Sequence, residues 1–342
     1  MKSLITPIGL STLALTAART LACDLCGCYI PSLEGKREAR FSLYSGVAEQ
    51  FTHFGTDRFN GHKLDEQSGQ YLDSSNTQFV IGASFLDNRF ALQVNIPLIH
   101  RSFKRPEGFE IDRGHESGLG DVSLLANFRV FKKEAFFRDG AASLAKDGKR
   151  TATMERGEPD FSATFHITAG LKFPTGDSRR IREEFNEVEI EDATESGIHG
   201  HDLALGTGSY DGVFGAQLSV RYKAVFFQAD AQYTGRGSGR HTYRFANDLV
   251  WNGGPGVYLF RKSGNSLGLQ AIVSGETKGT DRIGGEAALD TGITSLYLGP
   301  QISGTYGRIS GEIGVDFPVL MNTTAFQTSA DYRIRAAISV HF

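Results

Sequence analysis

Three features of the sequence predict an all-β fold, a transmembrane antiparallel up-and-down β-barrel of about 12 strands. Segments of roughly ten residues alternate apolar and polar side chains, and that is the length a tilted membrane strand needs. The links between these segments alternate between short turns and long loops, as they do in outer-membrane barrels. No stretch beyond the N-terminal region approaches the roughly 18 apolar residues of a membrane helix.

The first 22 residues have the pattern of a secretory signal peptide. Lys2 is the only charge before Arg19, the residues between them are apolar or small, and cleavage is expected before Cys23. A lipid on Cys23 is the alternative, although Thr20 and Leu21 do not match the residues that a lipobox prefers. We therefore expect a signal peptide at 1–22, a Cys-rich periplasmic segment at 23–36 and the barrel at 37–342.

The C-terminal segment shows the alternation most clearly, with apolar residues from Tyr332 to Phe342 on one face and polar residues on the other. It resembles the last strand of outer-membrane barrels, which the insertion machinery recognises. The side chains expected to form that signal are Tyr332, Ile338, Val340 and Phe342. The strands predicted by this alternation are 38–53, 75–86, 89–99, 121–131, 160–173, 211–222, 225–234, 241–261, 266–277, 292–306, 309–317 and 332–342.

The predicted links place both ends of the chain on one rim of the barrel, the periplasmic rim. Tight turns are predicted at Asp87-Asn88, Lys223-Ala224, Lys262–Asn265 and Gly307-Arg308. The long links are predicted at 54–74, 103–118, 174–210, 235–240, 278–291 and 318–328. The link 132–159 departs from the rule because it belongs to the short-turn rim and is long; a short helix is expected near 133–146.

Charged and polar residues recur on the face opposite the apolar one. A soluble β-sandwich would have to bury that face, whereas a barrel exposes it to a wet lumen. The net charge of −3 gives no electrostatic case for a nucleic-acid partner. The side chains expected to line the lumen are Arg129, Lys172, Arg221, Asp230, Glu276, Glu312, Asp316, Arg333 and Arg335.

Three different glycine-containing motifs lie at predicted strand ends: SGLGD (117–121), GLKFPTGD (170–177) and GTGS (206–209). Glycine there permits positive φ or close backbone approach, and GTGS is not a phosphate loop because no helix follows it. In this order the motifs resemble an outer-membrane barrel family named after the MetA pathway of phenol degradation. The resemblance implies a presumed transporter and supplies no catalytic residues.

All three cysteines lie in CDLCGC, residues 23–28. Cys23, Cys26 and Cys28 are close enough in sequence to bind one soft metal ion, for which Cu, Zn and Fe are the candidates; the sequence does not identify the cofactor. A disulfide or redox pair in the oxidising periplasm is one alternative, and lipid on Cys23 is another. In each case the segment could also dock a periplasmic partner beneath the barrel.

The acidic segment 180–202 ends in His199, His201 and Asp202, which are candidate ligands of a divalent cation. A solvated acidic loop is the plainer interpretation. The best-supported function is an outer-membrane channel that passes a small solute or metal species, embedded in outer-membrane lipid. The alternatives are a structural or adhesive barrel and a hydrolase that uses Ser209, His201 and Asp211, although no nucleophile motif supports the hydrolase.

Overall fold

The structure is a computed structural model that describes residues 40–136, 159–185 and 192–342. The predicted signal peptide and Cys-rich segment lie outside the described residues, as does most of the 132–159 link. Lys133 to Ala135, where a helix was expected to begin, lie in a strand. Within the described ranges, no helix has the length and apolar character needed to cross a bilayer.

Twelve antiparallel strands form one closed barrel, which confirms the predicted fold class. We number them β1 to β12 in chain order. Their bounds are Phe41–Phe59, Tyr71–Phe85, Phe90–Glu107, Ser123–Ala135, Phe161–Lys172, Asp211–Tyr222, Val225–Gly235, Asp248–Lys262, Asn265–Lys278, Ile293–Tyr306, Ile309–Thr323 and Phe326–His341. Each strand pairs with the next, and β1 pairs with β12 from Tyr44↔His341 to Phe59↔Phe326, so the sheet has no open edge along the barrel wall.

The two faces of the wall differ as a membrane barrel requires. Side chains such as Leu43, Ile81 and Phe317 are exposed on the outer face. Polar side chains such as Gln78 and Arg335 are buried on the inner face. Because lipid satisfies no backbone hydrogen bonds, a closed ladder with an apolar exterior is the form in which strands cross a bilayer. The chain is therefore an outer-membrane β-barrel.

The two rims differ in the length of their connections. On the short-turn rim, tight turns join β2 to β3, β6 to β7, β8 to β9 and β10 to β11, as predicted. The long-loop rim carries the short additional elements. They are strands His62–Lys63, Glu110–Leu119, Tyr243–Arg244, Asp281–Ile283 and Glu286–Ala288, 3-10 helices Arg179–Phe185 and Arg240–Thr242, and one helical turn at Gly200–Leu203.

Two predicted loops were wrong because the chain is extended there. The predicted loop 103–118 is a hairpin in which β3 continues to Glu107 and pairs with Glu110–Leu119. The sequence did not show the alternation of this hairpin, because the hairpin extends above the apolar belt and has charged side chains on both faces. The predicted loop 318–328 contains the end of β11, a two-residue turn and the start of β12. Pro318 sits at a register shift there, which interrupts the period.

The predicted strand 241–261 also begins later than expected, at Asp248. Residues Tyr243–Arg244 instead pair with Asp281–Ile283 in a small separate sheet over the long-loop rim.

Candidate functional site

The segment between β5 and β6 folds into the mouth of the barrel at the long-loop rim. We call its described residues, 173–185 and 192–210, the plug. Ile198 and Leu203 of the plug are almost fully buried. They pack in one apolar cluster with seven inward side chains from six adjacent strands, which we call the collar: Phe54, Leu72, Phe103, Ile293, Tyr297, Met321 and Ala330. One side of the barrel wall, from β10 through β12 and β1 to β3, thus presents an apolar arc at the level where the plug sits.

Two buried arginines of β3 hold the plug in place. Arg101 donates through Nη1 to the carbonyl oxygens of Asp202 (2.5 Å) and Ala204. Arg105 donates to the carbonyl of Ile198 (3.3 Å) and forms an ion pair with Glu183 (Nη2 to Oε2, 2.8 Å). A guanidinium suits this role because its fixed fork offers several donors to carbonyls that the loop cannot satisfy internally.

The three sequence motifs meet at one buried cluster below the plug, which we call the clasp. It consists of Asp121, Lys172, Asp211, Arg236 and Asp248. Asp121 accepts hydrogen bonds from the backbone N–H of Gly176 (2.9 Å) and of Thr207 (2.8 Å), so one carboxylate joins all three motifs.

Ion pairs extend the clasp to two further strands. Arg236 donates to Asp211 (Nη1 to Oδ2, 2.9 Å) and to Asp248 (Nε to Oδ2, 2.9 Å). Lys172 lies 3.7 Å from Asp121 and 4.0 Å from Asp211. Both ends of the plug are therefore fixed to the wall by charged hydrogen bonds, which are stronger than neutral ones.

Two glycines of these motifs allow the plug backbone to cross itself closely. A Cβ on Gly206 would lie 2.6 Å from Asp121 Oδ1 and 2.7 Å from Gly176 Cα. Gly208 has a φ of +69°, which a side chain would strain. The sequence predicted close approach and positive φ at such positions, but it did not identify the partners.

His201 lies at the centre of a second polar cluster in the plug. Its Nδ1 is 2.9 Å from Glu184 Oε1 and its Nε2 is 3.2 Å from Asp202 Oδ1. Burial opposes its protonation, but the charges of Asp202 and Glu184 outweigh burial and hold the pKa of His201 well above its usual value. The His201 charge in turn outweighs the burial of Asp202 and lowers the pKa of that carboxyl. His201 is therefore an imidazolium between two carboxylates.

The loops over the rim cover this cluster. Tyr243 stacks on His201 at 6.2 Å between ring centroids, and its hydroxyl donates to Asp281 (2.5 Å). Lys278 Nζ lies 2.7 Å from the same carboxylate. Burial and the Asp281 charge raise the pKa of Tyr243 well above its usual value. The plug, the 236–247 loop and the 279–292 loop thus form one packed unit.

The lumen below the plug is polar and its charges are paired. Arg333 pairs with Glu276 and lies 3.8 Å from the centre of the Tyr297 ring, which belongs to the collar. Arg335 donates to both oxygens of Asp316 (2.9 and 3.0 Å). The Arg335 pair joins the neighbouring strands β12 and β11, whereas the Arg333 pair reaches from β12 to β9 across part of the lumen.

The remaining predicted lumen residues occupy three levels. Asp230 accepts a hydrogen bond from Asn252 (2.8 Å), and Glu312 from Gln301 (3.2 Å), at mid-depth. Arg129 and Arg221 donate to backbone carbonyls at the short-turn rim, including Asp87 and Pro159. Lys172 belongs to the clasp.

The candidate loop ligands His199, His201 and Asp202 are adjacent, and the rings of the two histidines stack at 5.8 Å. His201 contacts Glu184 and Asp202 through its two ring nitrogens, and His199 Nε2 lies 3.4 Å from Asp290. Among the described residues no group of three or more His, Cys, Asp or Glu is arranged to hold a metal ion. Metal binding in this loop stays a prediction.

The hydrolase candidates do not form a nucleophile–base pair. Ser209 donates its hydroxyl to Asp211 (2.6 Å), while the His201 ring contacts Glu184 and Asp202. The Asp211 carboxylate in turn pairs with Arg236. Asp211 belongs to the clasp, and Ser209 is one of its hydrogen-bond donors.

Comparison with solved structures shows the same fold in an outer-membrane channel from Pseudomonas putida F1. The TM-score is 0.56 and the identity 14%, over 92% of this chain and 100% of that chain. The β domain of the Bordetella autotransporter BrkA is less similar, with a TM-score of 0.40 and 9% identity over 89% of this chain and 100% of that chain. No family model matches the sequence. No curated protein matches it either.

Proposed function

We propose that this protein is an outer-membrane channel for a small polar solute, and that the plug closes its outer mouth in the conformation described. The observation that carries the proposal is the contrast between collar and lumen. The mouth is sealed by apolar packing around Ile198 and Leu203, while the lumen beneath is lined by polar side chains. A barrel that served only as a scaffold would have no need of a hydrated interior under an apolar seal.

Passage requires the plug to leave the collar. The bonds from Arg101 and Arg105 end mainly on backbone carbonyls, which water can satisfy once the plug moves out. The solute would then diffuse through a lumen whose selectivity is set by the charges of the wall, as in other pores. Paired charges of both signs, such as Arg335 and Asp316, favour a polar solute over a strongly charged one.

We propose that this chain belongs to the MetA-pathway barrel family. The Pseudomonas putida channel supports the fold, and the convergence of the three motifs on Asp121 supplies a structural reason for their order. Transport of a metal species is the narrower form of the proposal, and it depends on the Cys-rich segment.

Conductance in planar bilayers tests the channel. We expect purified full-length protein to conduct in small, infrequent steps, and a strain that lacks it to lose uptake or efflux of a polar solute. Absence of conductance together with unchanged solute traffic would overturn the proposal. Loss of surface attachment alone would favour the adhesive alternative, and turnover abolished by Ser209→Ala would favour the hydrolase.

Metal content and intact mass test the Cys-rich segment. Stoichiometric Cu, Zn or Fe that is lost in Cys26→Ser would establish a metal site at Cys23, Cys26 and Cys28. A mass lower by two hydrogens without metal would establish a disulfide, and a gain of acyl chains would establish a lipid anchor. Either of the last two results would remove the metal proposal and leave the channel proposal in place.

A further inference from the structure

The short-turn rim of the barrel is basic. Its described residues (40, 86–89, 132–136, 159–160, 223–224, 261–264 and 307–308) include eight Lys or Arg and three Asp or Glu. The exposed cations are spread around the rim so that each described connection carries at least one: Arg40, Arg89, Lys133, Lys223, Lys262 and Arg308. Since the chain as a whole has a net charge of −3, this excess is a property of the rim.

Exposed aromatic side chains lie directly above these cations on the outer face. Lys223 Nζ is 5.7 Å from the centre of the Tyr222 ring, and the Arg89 guanidinium is 5.4 Å from that of Phe128. Aromatic girdles mark the level where a barrel wall passes from hydrocarbon to headgroups. The cations are therefore placed at the depth of the lipid headgroups of the leaflet that the short turns face, which is the periplasmic one.

One groove interrupts the apolar wall at this level. Gly304 of β10 and Gly311 of β11 are direct cross-strand partners on the outer face, and neither has a side chain to cover the sheet. The resulting groove has a volume of about 280 Å³, and Phe260, Tyr306 and Ile309 form its sides. Tyr306 is 78% exposed, so the groove opens toward lipid.

The basic turns lie at the lower end of this groove. Lys262 lies at the turn between β8 and β9, and Arg308 at the turn between β10 and β11; both are exposed. A hydrogen bond from the Gly307 N–H to Asn265 Oδ1 (2.8 Å) joins the two turns. An apolar groove and two cations are thus combined at one point of the rim.

We propose that this groove binds an anionic phospholipid of the periplasmic leaflet. An acyl chain lies along Gly304 and Gly311 against Tyr306 and Ile309, and the phosphate lies between Lys262 and Arg308. The other cations of the rim attract the same headgroups without a groove and so bind them less specifically. The site is on the outer face of the wall, so it does not depend on channel activity.

The groove and the charge support a lipid over a soluble anion. A free phosphate would be held by exposed cations alone, in water, where such contacts contribute little. A phospholipid adds the burial of its chain in the groove, which contributes in proportion to the apolar area covered. Tight binding is therefore expected to need both the groove and the two cations.

Native mass spectrometry of the delipidated full-length barrel in detergent tests the site, with dioleoyl phosphatidylglycerol and dioleoyl phosphatidylcholine titrated separately. We expect tighter binding of phosphatidylglycerol. Lys262→Gln with Arg308→Gln should weaken it about 30-fold, since each cation near an anionic surface contributes about 1 kcal/mol. Tyr306→Ala should weaken both lipids, because it removes a side of the groove and leaves the charges.

The matched control removes two exposed cations from the long-loop rim, Lys63→Gln with Arg282→Gln, and should leave lipid binding unchanged. Inorganic phosphate at the same concentration should not displace the lipid. Equal binding of the two lipids, an equal effect of the control pair, or displacement by phosphate would each overturn the proposal. Heat-modifiable migration on gels verifies that every variant is a folded barrel.

Discussion

Arg101→Met is expected to release the plug from the mouth of the channel. The side chain keeps much of its apolar bulk but loses the donors that reach the carbonyls of Asp202 and Ala204. A hydrogen bond from a charged donor contributes about 1.5 to 3 kcal/mol. We take the lower value because water of the lumen can replace the arginine. Two bonds then contribute about 3 kcal/mol, and the displaced state should become about 100-fold more populated.

Two measurements report this change. Ala204 is buried in the plug, so Ala204→Cys in a background with Cys23, Cys26 and Cys28 changed to serine should react slowly with a bulky maleimide. Adding Arg101→Met should speed labelling about 100-fold, by the population shift worked out above, and should lengthen the open steps in planar bilayers. Arg129→Met is the control, because Arg129 also lies on the inner face but donates to Asp87 at the opposite rim.

Unchanged labelling and conductance in a folded Arg101→Met barrel would refute the role of this arginine. An equal increase in Arg129→Met would show that loss of any inward arginine loosens the protein. Neither result is compatible with a plug that is held by specific bonds from β3.

Three further predictions concern the clasp, the rim loops and the outer wall. Gly206→Val should speed labelling of Ala204→Cys, because its Cβ would lie 2.6 Å from Asp121 Oδ1, whereas Gly212→Ala meets only Phe214 at 3.4 Å and should not. Tyr243→Phe should destabilise the rim loops by about 1.5 to 3 kcal/mol through loss of its bond to Asp281, as measured by hydrogen exchange. The folded-state pKa of Tyr243 is raised, so its contribution should be complete below pH ~10 and be lost only as the pH rises through that raised pKa; a stability difference between the wild type and Tyr243→Phe that already falls well below pH ~10 would contradict this. Trp251 is the single tryptophan and covers Gly275, so Gly275→Ala, whose Cβ would lie 2.3 Å from the indole, should shift tryptophan emission while β8 and β9 stay paired; unchanged emission would contradict the packing.

The alternation of side chains predicted the wall well because each strand obeys a local rule. Asp211–Tyr222 has the predicted bounds, and the tight turn at Lys223-Ala224 is where polar residues interrupt the pattern. The alternation rule failed where the strand does not have lipid on one side and the lumen on the other. Above the apolar belt, residues 103–118 carry charges on both faces, and at Pro318 a register shift breaks the period.

The plug could not be predicted from local pattern. Arg101 is indistinguishable in sequence from any inward arginine of a barrel, and its partners are backbone carbonyls about a hundred residues later. Arg236 and Tyr243 were missed for the same reason, because only the fold brings them to their partners, Asp211 at the start of β6 and Asp281 in the 279–292 loop. The motif glycines were the one available signal, since Gly176 and Gly206 mark the point where two parts of the backbone touch.

The pairing of β1 with β12 makes closure of the wall depend on the last strand of the barrel. Tyr44 and His341 are neighbours in the sheet but lie near opposite ends of the described chain. Until β12 is available, both β1 and the growing edge of the sheet present unpaired backbone groups, which lipid cannot satisfy. Contacts of such long sequence separation form slowly, because the whole chain must be ordered before they contribute. The barrel can therefore close only after β12 has been made, and closure is a late event in folding.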